Sequence, residues 1–324
     1  MTDTRTHPPS SPVRIGTRGS RLALWQAHYI RDRLTELDAD VEITVIKTQG
    51  DRIQDVPLAD MDGKGFFTKE LEEAQLAGEV DLAVHSMKDL ATEMPPGLAL
   101  AAMVGREDPR ESFLMRRECV DGNRPVDELL PVADGARIGT SAARRQAQLR
   151  DLRPDLEIAD LRGNVPTRVN KLRDGQYDAI LLAKAGLMRL ELDVSDLAVI
   201  DLAVDRFVPA PAQGMLAIQC RDEAPWLDFL GQLHAADAAR SVAAERRLLA
   251  ALEGGCQLPF GVNVAPDGQG FRLLAFWRST DSDQPAVRLD LRGVNPDVLA
   301  DEALAVIREA AESDSCTRRR PASS

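Results

Sequence analysis

Metal ligands and disulfide partners are scarce in this chain. Its 324 residues include four cysteines and four histidines. Cys119, Cys220, Cys256 and Cys316 make no C-x-x-C pair, and a chain this long needs no covalent staples, so reduced thiols in a cytosol are expected. His7, His28, His85 and His234 make no H-E-x-x-H, and no metal site is expected. No apolar run approaches the roughly 20 residues of a membrane-spanning helix. Residues 1–12 are polar and proline-rich, with no apolar stretch, so they are not read as a secretory signal. Gly63-Lys64-Gly65 has no Ser or Thr after the lysine and the wrong spacing for a nucleotide phosphate loop. A formal net charge of −12 argues against general affinity for nucleic acid.

What is present is ample apolar mass, 44% of the chain, and unevenly placed charge. The length exceeds one typical core, so two or three domains are expected. Residues 137–173 hold nine cations (Arg137, Arg144, Arg145, Arg150, Arg153, Arg162, Arg168, Lys171, Arg173) against four acids (Asp151, Asp155, Glu157, Asp160). That stretch is net +5 inside an acidic chain. Residues 1–12 and 313–324 have the composition of disordered tails.

Hydrophobic periodicity outlines alternating strands and helices. Val13-Arg14-Ile15 reads as a strand running into Gly16-Thr17-Arg18-Gly19-Ser20. Leu22, Trp25, Tyr29, Ile30, Leu34 and Leu37 then follow a helical period. Val41, Ile43 and Val45 alternate as a strand, and Gly50 to Gly65 reads as a mobile lid. A helix over Phe67 to Leu76 stops at Gly78, and strands follow at Leu82 to Val84 and Leu98 to Val104. The pattern restarts at Arg137-Ile138, which passes through Gly139-Thr140-Ser141 into a helix. Glu157 to Leu161 passes likewise through Arg162-Gly163-Asn164, and Tyr177 to Leu182 precedes a helix at Ala185 to Leu190. Phe207 to Ala212 is a stiff, proline-rich crossover. A helix at 239–252, strands near Val262, Arg272 to Trp277 and Ala286 to Leu291, and a helix from Pro296 to Ala311 complete the chain. The fold class is therefore α/β, with a smaller α+β C-terminal domain.

Several of these junctions carry chemistry. Cys256 sits in Glu253-Gly254-Gly255-Cys256-Gln257, where two glycines permit a bend that sets the sulfur out from the domain body. The alternative is an inert, packed thiol. Gly139-Thr140-Ser141 offers hydroxyls and helix-start N–H groups to an anion, with Arg144 and Arg145 in the first turns; a plain N-cap with surface arginines is the alternative. Arg162 ends the next strand, and Arg168 follows in its helix. The C-terminal ends of parallel strands converge, so these cations aim at one place. Lys88 and Asp89 end another strand, either as a surface ion pair or as an acid among cations. Arg18 and Ser20 occupy the first strand–helix junction. His85 is read as packed beside the strand end. A tethering thiol, one acid and many arginines point to polyanionic substrates on a covalent arm.

Six segments together resemble the porphobilinogen deaminase family, from about Val13 to Ala310. They are Ile15-Gly16-Thr17-Arg18-Gly19-Ser20, Val84-His85-Ser86-Met87-Lys88-Asp89, Gly139-Thr140-Ser141 with Arg144-Arg145-Gln146, Leu161-Arg162-Gly163-Asn164, Pro211-Ala212-Gln213-Gly214 and Glu253-Gly254-Gly255-Cys256-Gln257. The resemblance implies two α/β domains similar to type II periplasmic binding proteins, with the site between them, and a third domain carrying the cysteine. Their expected bounds are 13–109 plus 210–233, 110–209 and 234–312. It implies a dipyrromethane cofactor in thioether linkage to Cys256. Four porphobilinogens would be joined head to tail with loss of ammonia, and hydrolysis would free hydroxymethylbilane. Asp89 is the implied catalytic acid. Arg18, Ser20, Lys64, Ser86, Lys88, Thr140, Ser141, Arg144, Arg145, Arg162, Gly163, Asn164, Arg168, Arg189 and Gln213 are the implied cofactor- and substrate-binding residues. A cytoplasmic monomer without membrane, metal or nucleic acid is expected. Ala142, Asp60, Ala91 and Pro166 depart from the family pattern, replacing a common serine, lysine, proline and glycine. A non-catalytic binder of small anions on the same two-lobed plan would explain the arginines, but not Cys256 or the third domain.

Overall fold

The computed structural model describes residues 6–48, 68–124, 129–252, 258–279 and 285–318, with side chains to residue 313. Cys256, Lys64, Asp60 and the expected lid (from residue 49 on) lie outside the described residues, as do 1–5 and 319–324. In chain order the strands are β1 Val13–Thr17, β2 Val41–Val45, β3 Leu82–Ser86, β4 Leu98–Val104, β5 Glu111–Arg116, β6 Arg137–Gly139, β7 Glu157–Ala159, β8 Ala179–Ala183, β9 Leu197–Leu202, β10 Leu216–Arg221, β11 Phe260–Asp267, β12 Gly270–Trp277 and β13 Val287–Gly293. The helices are α1 Arg21–Thr35, α2 Lys69–Leu76, α3 Ala143–Leu152, α4 Val165–Arg173, α5 Lys184–Leu190, α6 Ala224–Gly231, α7 Ala236–Ala251 and α8 Pro296–Arg318.

The chain divides into two compact units. The first comprises residues 1–108, 185–192 and 213–239; the second comprises 109–184, 193–212 and 240–324. In the first, the sheet order is β2-β1-β3-β10-β4. β1 pairs in parallel with β2 and β3, and β10 runs antiparallel between β3 and β4. α1 forms because Ala27, Ile30 and Leu34 repeat on one face, which packs with Val13, Ile15, Leu82, Val84, Ile218 and Trp226. Residues 6–12, expected as a free tail, contact this unit. Thr6 bonds Asp228 and Gln232, and the Ser10 hydroxyl donates to Asp81.

The second unit repeats the plan as β7-β6-β8-β5-β9, with β6 parallel to β7 and β8, and β5 antiparallel between β8 and β9. In each five-stranded sheet the antiparallel strand follows a passage from the other unit, at Pro109 for β5 and Gln213 for β10. Two such matched α/β sheets are the fold class expected from type II periplasmic binding proteins.

Also in the second unit, β11, β12 and β13 form an antiparallel sheet. Its core joins Val262, Val264, Leu273 and Ala275 to Leu248 of α7 and to Leu299, Ala303 and Ile307 of α8. Glu245 of α7, fully buried, accepts from the backbone N–H groups of Ala212 and Val264, each at 2.7 Å. The crossover Phe207 to Ala212 is thereby fastened at a residue with φ of 61°. α8 continues to Arg318, so the backbone is helical across the expected tail boundary at 313.

Candidate functional site

In the first unit three segments meet where β1 and β3 end. Ser20, after Arg18, N-caps α1 by accepting from Ala23 N–H at 3.3 Å. Strand β3 ends in a 3₁₀ turn, Met87–Asp89, which leaves Asp89 exposed and Lys88 half-buried. Ser86 accepts from Gln26 Nε2 at 2.7 Å. Lys88 Nζ donates to Gln213 Oε1 at 3.1 Å, and Gln213 is wholly buried. The Met87 N–H donates to Met215 O, which ties the turn to the segment entering β10.

His85 lies under this turn. Gln219 points its Nε2 at Glu72 and Met94, so its Oε1 faces His85 Nε2 at 3.1 Å, and the imidazole donates there. Burial pushes the His85 pKa down to about 4, against the Gln219 hydrogen bond and the Asp89 charge; Arg18 adds to the depression. Asp89 and Arg18 therefore act on the same imidazole. His85 is a packed, neutral ring, as its place in the strand implied.

Arg189 of α5 takes a different place from that expected of a ligand group. Its side chain is buried in the first unit, and burial lowers its pKa to about 10 against the pull of Glu107 and Tyr29. Nη2 donates to Gly214 O at 2.5 Å and Gly105 O at 3.3 Å, and the guanidinium lies 5.6 Å over Trp25. Gly214 has φ of 90°, and a Cβ there would stand 2.2 Å from Glu107 O, so only glycine fits. Arg189 thus fastens two backbone segments, one of which carries Gln213 to Lys88.

In the second unit the junctions after β6 and β7 lie side by side. Thr140 is buried, and its Oγ1 accepts from Ala142 N–H. Ser141 Oγ both donates to Leu161 O at 3.1 Å and accepts from Leu161 N–H at 2.9 Å, stitching the two junctions together. Arg162 follows directly. Gly163 has φ of 112°, and a Cβ there would stand 2.7 Å from Thr167. Asn164 caps α4 through Thr167 N–H, and Pro166 stands in the first turn, where a missing N–H costs nothing. Arg168 Nε donates back to Gly163 O at 2.7 Å. Arg162, Arg168 and Arg144 are half-buried. Arg145 is turned inward, donating to Glu111 and to Leu181 O. Glu111, wholly buried and holding both Arg144 and Arg145, is a residue the periodicity did not reveal, because β5 carries no alternating pattern.

The second unit thus sets guanidinium groups and helix-start N–H groups at the C-terminal ends of parallel strands, a donor set suited to carboxylates. Residues 13–228 match the family model described as porphobilinogen deaminase, dipyromethane cofactor binding domain. The chain belongs to the porphobilinogen deaminase family. A porphobilinogen deaminase of Trichlorobacter lovleyi is 47% identical over 305 residues, covering 90% of this chain and 93% of that relative. One of Geobacter sulfurreducens is 47% identical over 272 residues, covering 83% and 82%. Among solved structures, a Bordetella pertussis BvgS periplasmic VFT2 domain is 14% identical with a TM-score of 0.39, covering 72% of this chain and 92% of that one. Membership of the porphobilinogen deaminase family brings a dipyrromethane cofactor, and the donor set of the second unit fits its acidic side chains. Among the described residues, no cluster of potential metal ligands occurs and no helix is long and apolar enough to cross a membrane.

Proposed function

We propose that this chain is a hydroxymethylbilane synthase. It condenses four porphobilinogens head to tail with loss of ammonia, then releases the linear tetrapyrrole by hydrolysis. Cys256 holds a dipyrromethane through a thioether. The observation that carries this reading is the turn after β3, where exposed Asp89 stands beside a Lys88 held by buried Gln213, within a family match spanning residues 13–228.

The bound dipyrromethane supplies a nucleophilic pyrrole carbon as primer. The chain's own residues do the rest. Each porphobilinogen carries an acetate and a propionate, which Arg18, Lys64, Lys88, Arg144, Arg162 and Arg168 hold, aided by Thr140 and the N–H groups at the starts of α3 and α4. Ser20, Ser86, Ser141, Gly163, Asn164 and Gln213 shape those junctions, while Arg145 and Arg189 keep them in place from the interior. When ammonia leaves, positive charge spreads onto the porphobilinogen pyrrole nitrogen. The Asp89 carboxylate stabilises that charge and accepts the proton released after the new bond forms. A tethered primer avoids recapturing the growing chain at each step. The reading includes three domains, 13–109 plus 210–233, 110–209 and 234–312, in a cytoplasmic monomer that takes porphobilinogen and needs neither metal nor nucleic acid.

Intact-protein mass spectrometry tests the assignment. Protein from a host that makes porphobilinogen should carry a mass excess of two linked pyrroles on the peptide containing Cys256. Folded, unmodified protein from such a host would refute it. In the same preparations Asp89→Asn should fold and keep the adduct, while turnover drops by about 10²-fold or more. Turnover near wild type would remove Asp89 from the chemistry.

A further inference from the structure

Glu111 opens β5, and the strand register sets it opposite Ala183, the last residue of β8. Because β5 runs antiparallel to β8, its first residue lies at the sheet end where β6 and β8 finish and α3 begins. The Glu111 side chain is wholly buried. A buried carboxylate needs compensating donors, and consecutive residues of α3 supply them. Arg144 Nη2 meets Oε1 at 2.7 Å, and Arg145 Nη2 meets Oε2 at 2.6 Å. One oxygen goes to each guanidinium.

The two arginines differ in depth. Arg145 also donates Nη1 to Leu181 O at 2.9 Å, and its side chain is 5% exposed. Arg144 is 14% exposed and sits closer to the helix start.

We infer that Glu111 is a positioning residue for the reaction: it locks Arg145 into the interior and holds the Arg144 guanidinium in one orientation for a carboxylate of the porphobilinogen-derived chain. This rests on Arg144 being a carboxylate ligand, as proposed above. Glu111 itself touches no substrate. It acts through Arg144, whose long side chain would otherwise sample many rotamers before each binding event.

The test is a double-mutant cycle in the full-length protein, with porphobilinogen as probe. Glu111→Gln, Arg144→Gln and the double variant are compared by three readouts: KM against kcat, the fraction of purified chain carrying the two-pyrrole mass, and melting temperature. Loss of one charge-assisted bond's worth of orientation should raise KM about tenfold or more in Glu111→Gln and lower the cofactor-bearing fraction. In KM, which Glu111 reaches through Arg144, the double variant should be no worse than Arg144→Gln alone, whereas melting temperature also registers the lost Arg145 bond. Effects that multiply overturn the inference, as does a Glu111→Gln protein with lowered melting temperature but wild-type KM and cofactor content. If Arg144→Gln alone changes neither KM nor cofactor content, the ligand role of Arg144 fails and the positioning role falls with it. Should Glu111→Gln not fold, Glu111→Asp keeps the charge but draws it back by one methylene, and the same non-additivity with Arg144→Gln is required of it.

Discussion

Burial keeps the His85 ring neutral, with its pKa moved from 6.5 down to about 4. The folded chain therefore binds a proton less readily at this site than the unfolded chain does. Stability linked to His85 is fully present above pH 6.5 and is lost as pH falls toward 4, with no further loss below. The span corresponds to roughly 3 kcal/mol. His85→Asn should flatten the dependence of melting temperature on pH between those values; an unchanged slope would place the acid sensitivity elsewhere. At this scale the sequence was informative about which residues a strand end presents. Ser86, Lys88 and Asp89 sit where the end of a strand puts them. It was uninformative about arginine direction. Arg144 and Arg145 are neighbours of equal chemistry and share Glu111, yet Arg145 lies deeper, where its Nη1 also donates to Leu181 O. Arg189 likewise turns to two backbone carbonyls that come from distant stretches of the chain.

Helix caps and strand ends decide how the anion-facing groups are presented. Asn164 Oδ1 accepts from both the N–H and the hydroxyl of Thr167, at 3.0 and 2.8 Å. Asn164→Ala should cost about 1 kcal/mol and a degree or two of melting temperature. Asn164→Asp should keep the cap, and so melt like wild type, while its new charge repels substrate carboxylates and raises KM. An Asp variant that melts like the Ala variant would mean the cap is not what Asn164 provides. The parallel strands β1, β6 and β8 and the helices that follow them were legible, because strand, junction and helix are contiguous in sequence, and β3 was legible as a short apolar run. β5, β9 and β10 were not. β5 and β10 are buried along almost their whole length, so no alternation marks them, and β10 pairs with β3 across more than 130 residues. No local window contains the partner that makes such a strand.

Charge over the whole molecule opposes charge at the proposed ligand groups. The chain carries −12 overall, yet residues 137–173 are net +5, and of these Arg144, Arg162 and Arg168 lie where β6 and β7 give way to the starts of α3 and α4. Holding like charges together costs free energy that an acidic ligand offsets, and two pyrroles bring two acetates and two propionates. A chain that cannot keep its cofactor should therefore be less stable, and the deficit should be electrostatic. Cys256→Ser removes the thioether but hardly alters volume. Its melting temperature is expected to lie several degrees below that of the cofactor-bearing protein at low salt. Raising the ionic strength shortens the screening length from about 10 Å at 0.1 M to about 3 Å at 1 M, which weakens repulsion among the guanidinium groups. The gap between the two proteins should narrow over that range, as read by thermal melts in sodium chloride. A gap that stays constant would mean that the cofactor stabilises the fold through apolar packing of its rings, and that the arginines tolerate one another without it.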